Sequence, residues 1–283
     1  QKNYKNPLEF LGDRFSEIAN AYNVKVRNLN FNHGENIDIE SLEKCIKSSP
    51  NAKALYVTHN ETSTGVQNNL ESISEVIKKH PILFVVDGIS SVASVPCDTE
   101  KLGIDVLISA SQKGWVTPPG LAFISVSKKA WQYHKTSNCP KYYFDISQYK
   151  NYLEKGQPPF TPAIGVMYSL EKALDLLLEE TMPKVYERHK KVADKIRTKL
   201  AEIGFELFPS NESFASDTLT AVKIPDGLST KDIINNLEKD HNVIISAGQG
   251  NLSDKILRIG HLGLVSDKEI DWLIESLIEV INK

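Results

Sequence analysis

The stretch Ile82-Leu83-Phe84-Val85-Val86-Asp87-Gly88-Ile89-Ser90-Ser91 runs from five apolar residues straight into an acid, a glycine and hydroxyls. An apolar run this short, bounded by His80-Pro81 before it and Asp87-Gly88 after it, predicts a strand covered on both faces. Pro81 also closes the helix marked by Ile73, Val76 and Ile77, because the residue before a proline is pushed out of the helical region. Working outward, Ala54-Leu55-Tyr56-Val57-Thr58 predicts a second strand, and residues 105–109 and 121–126 predict two more. Upstream, Leu11, Phe15, Ile18, Ala19 and Tyr22 recur at helical spacing, Val24-Lys25-Val26 predicts a short strand, and Asp38 can cap a helix carrying Ile39, Leu42 and Ile46. Apolar strands alternating with helices define an α/β fold with a mostly parallel central sheet. Ligands of such sheets bind beyond the carboxyl ends of the strands. Those ends read Thr58-His59-Asn60-Glu61-Thr62, Asp87-Gly88-Ile89-Ser90 and Ser109-Ala110-Ser111-Gln112-Lys113.

The chain has 283 residues, 41% of them hydrophobic, and a net charge of −3. That length fills one large domain or two ordinary ones. No apolar run approaches the ~20 residues that cross a bilayer. The mild acidity and scattered lysines offer no basic stripe for nucleic acid and no cationic amphipathic helix for a membrane surface. Small molecules or proteins are the expected partners. Cys45, Cys97 and Cys139 are widely spaced and odd in number, so neither a disulfide framework nor a zinc site is indicated, and a cytoplasmic location is expected.

Residues 136–164, with Pro140, Pro158, Pro159 and Pro162, read as an ordered connection. A long helix is predicted from about 166 to 203, kinked near Pro183. The remainder predicts a small α+β unit with strands at 205–208, 219–224, 243–246 and 256–259, and helices starting at Ser229 and Ser266, the latter with Glu269 in a capping box. The expected organisation is a large domain over 1–165, a linking helix over 166–203 and a small C-terminal domain over 204–283.

Asp87 ends one buried strand, and Lys113 follows 26 residues later, just past another, among small residues. Pyridoxal phosphate chemistry requires such a pair: a lysine to hold the cofactor and a carboxylate to keep the ring nitrogen protonated. Each residue alone has a blander explanation, since a strand-terminal Asp commonly caps a turn and a lone Lys is commonly solvated. His59 has no metal-ligand partner at suitable spacing and reads as a packing residue. His189-Lys190-Lys191 and Lys128-Lys129 read as solvated helix faces, and Gly248-Gln249-Gly250 lacks the third glycine of a phosphate loop.

Taken together, His59-Asn60-Glu61-Thr62-Ser63-Thr64-Gly65-Val66, Val86-Asp87-Gly88-Ile89-Ser90-Ser91, Gly103-Ile104-Asp105-Val106-Leu107 leading into Ser109-Ala110-Ser111-Gln112-Lys113, and Pro118-Pro119-Gly120-Leu121-Ala122 carry a resemblance. In order and spacing they resemble the class V, fold type I pyridoxal-phosphate aminotransferases, in particular the alanine/serine–glyoxylate group. The likeness continues through Pro159-Phe160-Thr161-Pro162-Ala163 and Ile256-Leu257-Arg258-Ile259-Gly260, and so spans nearly the whole chain. It implies a transferase-like large domain and a small C-terminal α+β domain. Lys113 becomes the Schiff-base lysine and general base, and Asp87 the partner of the pyridine nitrogen. Thr62 bonds the phenolic oxygen, Ile89 packs on the ring, Gln112 joins the phosphate pocket and Arg258 clamps the substrate carboxylate. Thr161 reaches the phosphate of a neighbouring subunit's pyridoxal 5'-phosphate, which implies a homodimer with shared sites.

Two departures qualify this expectation. In the resemblance Gln1 falls after the family's Gly/Ser/Thr-rich phosphate loop, so the chain is expected to lack an N-terminal segment. Leu11 stands where an aromatic usually precedes a Gly-x-Arg, with Phe10 one place earlier. The expected activity is transfer of an amino group from alanine, serine or aspartate to glyoxylate or another 2-oxo acid. Two alternatives stay open: a cysteine-desulfurase-like lyase, disfavoured by Gln112 before the lysine and by the lack of a cysteine after Cys139, and a non-catalytic partner subunit.

Overall fold

A computed structural model of the protein describes residues 10–282, with side chains from residue 14 onward. The stacking position considered at Phe10 and Leu11 therefore lies outside the described side chains. Helix α1 (Phe10–Ala21) is followed by an irregular stretch and α2 (Ile39–Lys47), whose N-terminus is capped as predicted: the Asp38 carboxylate accepts the Ser41 N–H at 2.9 Å. Strand β1 (Ala54–Thr58) leads into a hairpin of β2 (Asn60–Glu61) and β3 (Val66–Gln67). Then come α3 (Leu70–Ile77), β4 (Leu83–Asp87), the single turn α4 (Thr99–Leu102), β5 (Val106–Ala110) and β6 (Ala122–Val126).

The first sheet has the order β1-β4-β5-β6, parallel except for β6. Phe84 and Val86 are fully buried and Val85 nearly so, which is why β4 is apolar on both faces. Thr58 pairs with Asp87, and Asp87 with Ile108, so the carboxyl ends of three parallel strands share one rim.

Residues 24–26 form no strand: Val24 is 50% and Val26 42% exposed. Alternation of side chains supplies one face, but a strand also needs a neighbour for its N–H and C=O groups, and none pairs with this stretch among the described residues.

Past α5 (Lys128–Lys135), the connection over 136–164 contains a helix of its own, α6 (Ile146–Leu153). The predicted long helix is two, α7 (Ile164–Glu180) and α8 (Met182–Glu202). The break falls at Thr181, whose φ of +73° no helix accommodates, while Pro183 sits in the first turn of α8 where its missing N–H is harmless.

The second sheet comprises β7 (Leu219–Lys223), β8 (Ser246–Ala247) and β9 (Ile256–Gly260), antiparallel in the order β7-β9-β8 and packed with α8, α9 (Thr230–His241) and α10 (Asp267–Ile281). Residues 205–208 make only one bridge, Leu207 to Val222, because Phe205 turns into the core; the predicted 243–246 strand shrinks to β8. The Ser266–Glu269 capping box is present in full. No helix among the described residues is long and apolar enough to cross a membrane.

Candidate active site

At the end of β4, Asp87 is buried, and its Oδ1 accepts the Ile89 N–H at 2.9 Å. Burial raises its pKa, and the Ile89 bond and Arg14 pull it back only partly. The glycine after it is required: a Cβ on Gly88 would lie 2.6 Å from Val92 Cγ2 and 2.9 Å from Leu107 Cδ1. The same 92–94 turn receives Gly114, where a Cβ would meet the Val92 carbonyl at 2.4 Å. The loops carrying Asp87 and Lys113 are thus locked against each other through two glycines.

Lys113 lies on a turn after β5 that is bonded at several points. Ser111 Oγ donates to the Pro118 carbonyl at 2.7 Å, Thr117 N–H to the Ser111 carbonyl at 3.2 Å, and Trp115 Nε1 to Ser109 Oγ at 2.8 Å. Val116 closes the turn onto the Lys113 carbonyl with φ at +53°, a left-handed conformation that a β-branched residue adopts only under strain. The Lys113 amine makes no hydrogen bond or ion pair among the described residues. It is half-buried and opens on a cavity of ≈ 290 Å³.

That cavity lies between the two sheets. Thr62, Ser90 and Lys113 line it from the first; Arg258, Gln249, Leu219 and Leu262 are among its walls from the second. Arg258, on β9, donates from Nε to the Ala247 carbonyl at 2.7 Å and from Nη1 to the Thr62 carbonyl at 2.9 Å. Its Nη2 has no partner among the described residues. Asn60 bolts the sheets together beside it, its Nδ2 donating to Thr218 Oγ1 at 2.8 Å and Ser90 Oγ at 3.1 Å.

Thr62, Lys113 and Arg258 therefore share one cavity, with Asp87 three residues before its Ser90 wall. Ile89 is half-buried next to Asp87. Gln112 is exposed beside Lys113 and makes no side-chain hydrogen bond among the described residues, and Thr161 is exposed on the connection and does not line the cavity. Glu61 received no role from sequence reasoning, yet it is 1% exposed, holds the Ser63 N–H and Oγ–H on Oε1 at 2.9 and 2.7 Å, and leaves Oε2 unpaired. Burial and Asp87 raise its pKa while Arg258 lowers it, so the acid lies within electrostatic reach of both. Its only sequence signal was an acid directly before Thr62 at a strand end. Two bland readings also need correction: His189 is buried, not solvated, and Lys129 bonds Asp105 at 2.9 Å.

These residues fit pyridoxal phosphate. A partner-free amine and a buried carboxylate with its Oδ2 unpaired among the described residues stand on loops locked together at the carboxyl rim of the first sheet. Residues 14–262 match the family model for class-V aminotransferases. The chain is 37% identical over 261 residues to an uncharacterized aminotransferase of Methanocaldococcus jannaschii, covering 92% of this chain and 68% of that one. It is 36% identical over 273 residues to the soluble hydrogenase 42 kDa subunit of Anabaena cylindrica, covering 95% and 71%. A crystal structure of alanine–glyoxylate aminotransferase from Nostoc sp. superposes with a TM-score of 0.92 at 30% identity, covering 96% of this chain and 73% of that one. The fold is that of a pyridoxal-phosphate enzyme. The chain belongs to the class-V aminotransferases.

Proposed function

We propose that the protein transfers the amino group of a small amino acid, alanine or serine and in a wider range aspartate, to glyoxylate or another 2-oxo acid. The observation that carries this is the partner-free Lys113 amine opening on the same cavity as Arg258. The alanine–glyoxylate activity in the name of the Nostoc enzyme supports the choice of substrates. When bound, pyridoxal phosphate supplies the electron sink that makes an amino acid's α-proton removable.

The chain's own residues have separate tasks. Lys113 Nζ would hold the cofactor and would move the substrate's α-proton as general base and acid. Asp87 would pair with the cofactor's protonated ring nitrogen, whose positive charge would favour the buried carboxylate in its charged form. Thr62 would bond the phenolic oxygen, Ile89 would pack on the ring and Gln112 would contribute to phosphate binding. Arg258 holds the substrate carboxylate through a guanidinium whose Nη2 is available, a fork that a lysine would not reproduce. Thr161, which does not line this cavity, would serve a neighbouring subunit's cofactor phosphate in a homodimer with shared sites. In this scheme 1–165 is the large cofactor-binding domain, 166–203 the link and 204–283 the small domain.

A lyase of the cysteine-desulfurase type is disfavoured because no cysteine lines the cavity and none follows Cys139. The hydrogenase-subunit names among relatives raise a partner-subunit reading, against which stands the assembled cavity. Incubated with pyridoxal phosphate, the protein should gain the visible absorbance of a cofactor covalently held by an amine. Lys113→Ala should abolish that band and lower alanine–glyoxylate transamination about ten-thousand-fold. A band that survives the substitution overturns the assignment of Lys113.

A further inference from the structure

Beyond β9 the chain alternates in burial: His261 and Gly263 are buried, Leu262 is half-buried and Leu264 is 53% exposed. Both buried residues are pinned. His261 donates its N–H to the Thr218 carbonyl at 3.0 Å, and its Nε2 pairs with Thr220 Oγ1 at 2.9 Å. At Gly263 both peptide groups are taken by consecutive side chains of α8: Arg188 Nη1 donates to the carbonyl at 2.5 Å, and His189 Nε2 accepts the N–H at 3.0 Å. Arg188 is itself aimed by Glu180, Nε to Oε1 at 2.7 Å and Nη2 to Oε2 at 3.0 Å. His189 Nδ1 lies 2.7 Å from the Val185 carbonyl, which can only accept, while Gly263 N–H can only donate. One tautomer satisfies both, with the proton on Nδ1.

Between those two anchors Leu262 lines the cavity, four residues after Arg258. It belongs to none of the three apolar clusters among the described residues. With Leu219 it is the apolar part of a lining otherwise made of glycine, hydroxyls, amide and charge. A leucine left out of the cores, with its backbone clamped on both sides, is a fixed wall and not a filler.

We propose that Leu262 limits the size of the amino acid's side chain and that Arg188 and His189 are positioning residues that hold it in place through Gly263. This rests on the reading of the cavity as the amino-acid site. A methyl or hydroxymethyl group is accommodated, whereas a propyl chain, or the carboxymethyl group of aspartate, meets the wall, which ranks aspartate below alanine and serine as a donor. One methylene against an apolar wall changes selectivity by about 10–200-fold.

The test uses the protein loaded with pyridoxal phosphate, glyoxylate as acceptor, and L-alanine against L-norvaline as donors. Leu262→Ala should raise the norvaline-to-alanine ratio of kcat/KM about tenfold or more. It should also raise the affinity for pentanoate relative to propionate, read as ligand-induced shifts in Tm, which does not depend on turnover. His189→Leu removes the acceptor for Gly263 N–H and should raise the same ratio severalfold through KM for norvaline. His189→Gln, which keeps an acceptor oxygen, should return it toward the parent value. An unchanged ratio in Leu262→Ala, or a glutamine variant no better than the leucine one, overturns the proposal while the cavity reading stands. A protein that holds the cofactor on Lys113 yet turns over neither donor overturns both.

Discussion

At its carboxyl rim the β1-β4-β5-β6 sheet buries Asp87, Glu61 and His59 close together, leaves Glu61 Oε2 and His59 Nδ1 without partners, and holds Val116 at a left-handed φ. The β7-β9-β8 sheet instead buries Leu237, Leu257, Ile270 and Leu277 to 1% exposure or less, under helices whose first turns are capped by Ser229 and Ser266. Unpaired buried polar atoms and strained backbone each cost free energy, whereas apolar burial and satisfied caps contribute it. The rim adds buried acids to such atoms, while the second region has unpaired atoms of its own, at Thr230 Oγ1, His241 Nε2, His261 Nδ1 and Ser276 Oγ, and sets a larger apolar core against them.

If that division holds, the apolar side should be the more sensitive to truncation. Leu277→Ala, at a fully buried position of α10, should cost about 3 kcal/mol of folding stability, the transfer term plus an unfilled cavity. Urea unfolding read by far-UV circular dichroism measures it directly. A loss under about 1 kcal/mol would mean that α10 repacks freely and that the core is looser than its burial indicates.

The rim should also respond to pH, through His59. Burial lowers the His59 pKa from 6.5 to about 4. Between those values the unfolded chain binds a proton that the folded one refuses, so stability present above pH 6.5 is lost as pH falls toward about 4. Asp87 and Glu61, whose pKa values burial raises, act in the opposite sense, since the folded state takes up their protons more readily. Comparison with His59→Asn isolates the histidine. The variant should lose about 2–3 kcal/mol less than the parent between pH 7 and pH 4 in urea titrations. Equal losses would show that His59 protonates in place.

How far the sequence reveals these two regions differs with the range of the forces involved. β4 is legible because five apolar residues and a flanking proline are local facts, and the caps at Asp38, Ser229 and Ser266 are legible because each closes on a residue three positions away. Val24–Val26 misleads because pairing depends on a neighbour that periodicity does not report. Thr181 ends α7 without the glycine that a left-handed residue normally signals, so Pro183 drew attention to the wrong position. The Arg258–Thr62 bond joins residues 196 apart and the His189–Gly263 bond residues 74 apart. Neither spacing carries a pattern, which is why His189 reads as solvated and Glu61 as silent. The Asp87–Lys113 pair is a reading of local residues and the resemblance adds Arg258 as a candidate; the clamp on Gly263 leaves no trace in either.

The smallest expected effect tests whether the rim's strain serves a purpose. Val116 sits at φ +53° while its N–H closes the turn on the Lys113 carbonyl at 3.0 Å. A β-branched residue there costs about 1–3 kcal/mol. Val116→Gly removes that cost but adds about 1 kcal/mol of backbone entropy to the unfolded chain. The balance is a gain of about 1 kcal/mol, a rise in Tm of roughly 2 °C for a protein of this size. Turnover should move the other way. With the turn loosened, Lys113 spends less time aligned with the α-proton, so kcat falls severalfold while KM, set at Arg258 across the cavity, stays put. A Tm that drops would show that the surrounding bonds from Ser111, Trp115 and Thr117 fully offset the strain at Val116. A Tm that rises with kcat intact would show that the strain is stored at the rim without serving the lysine.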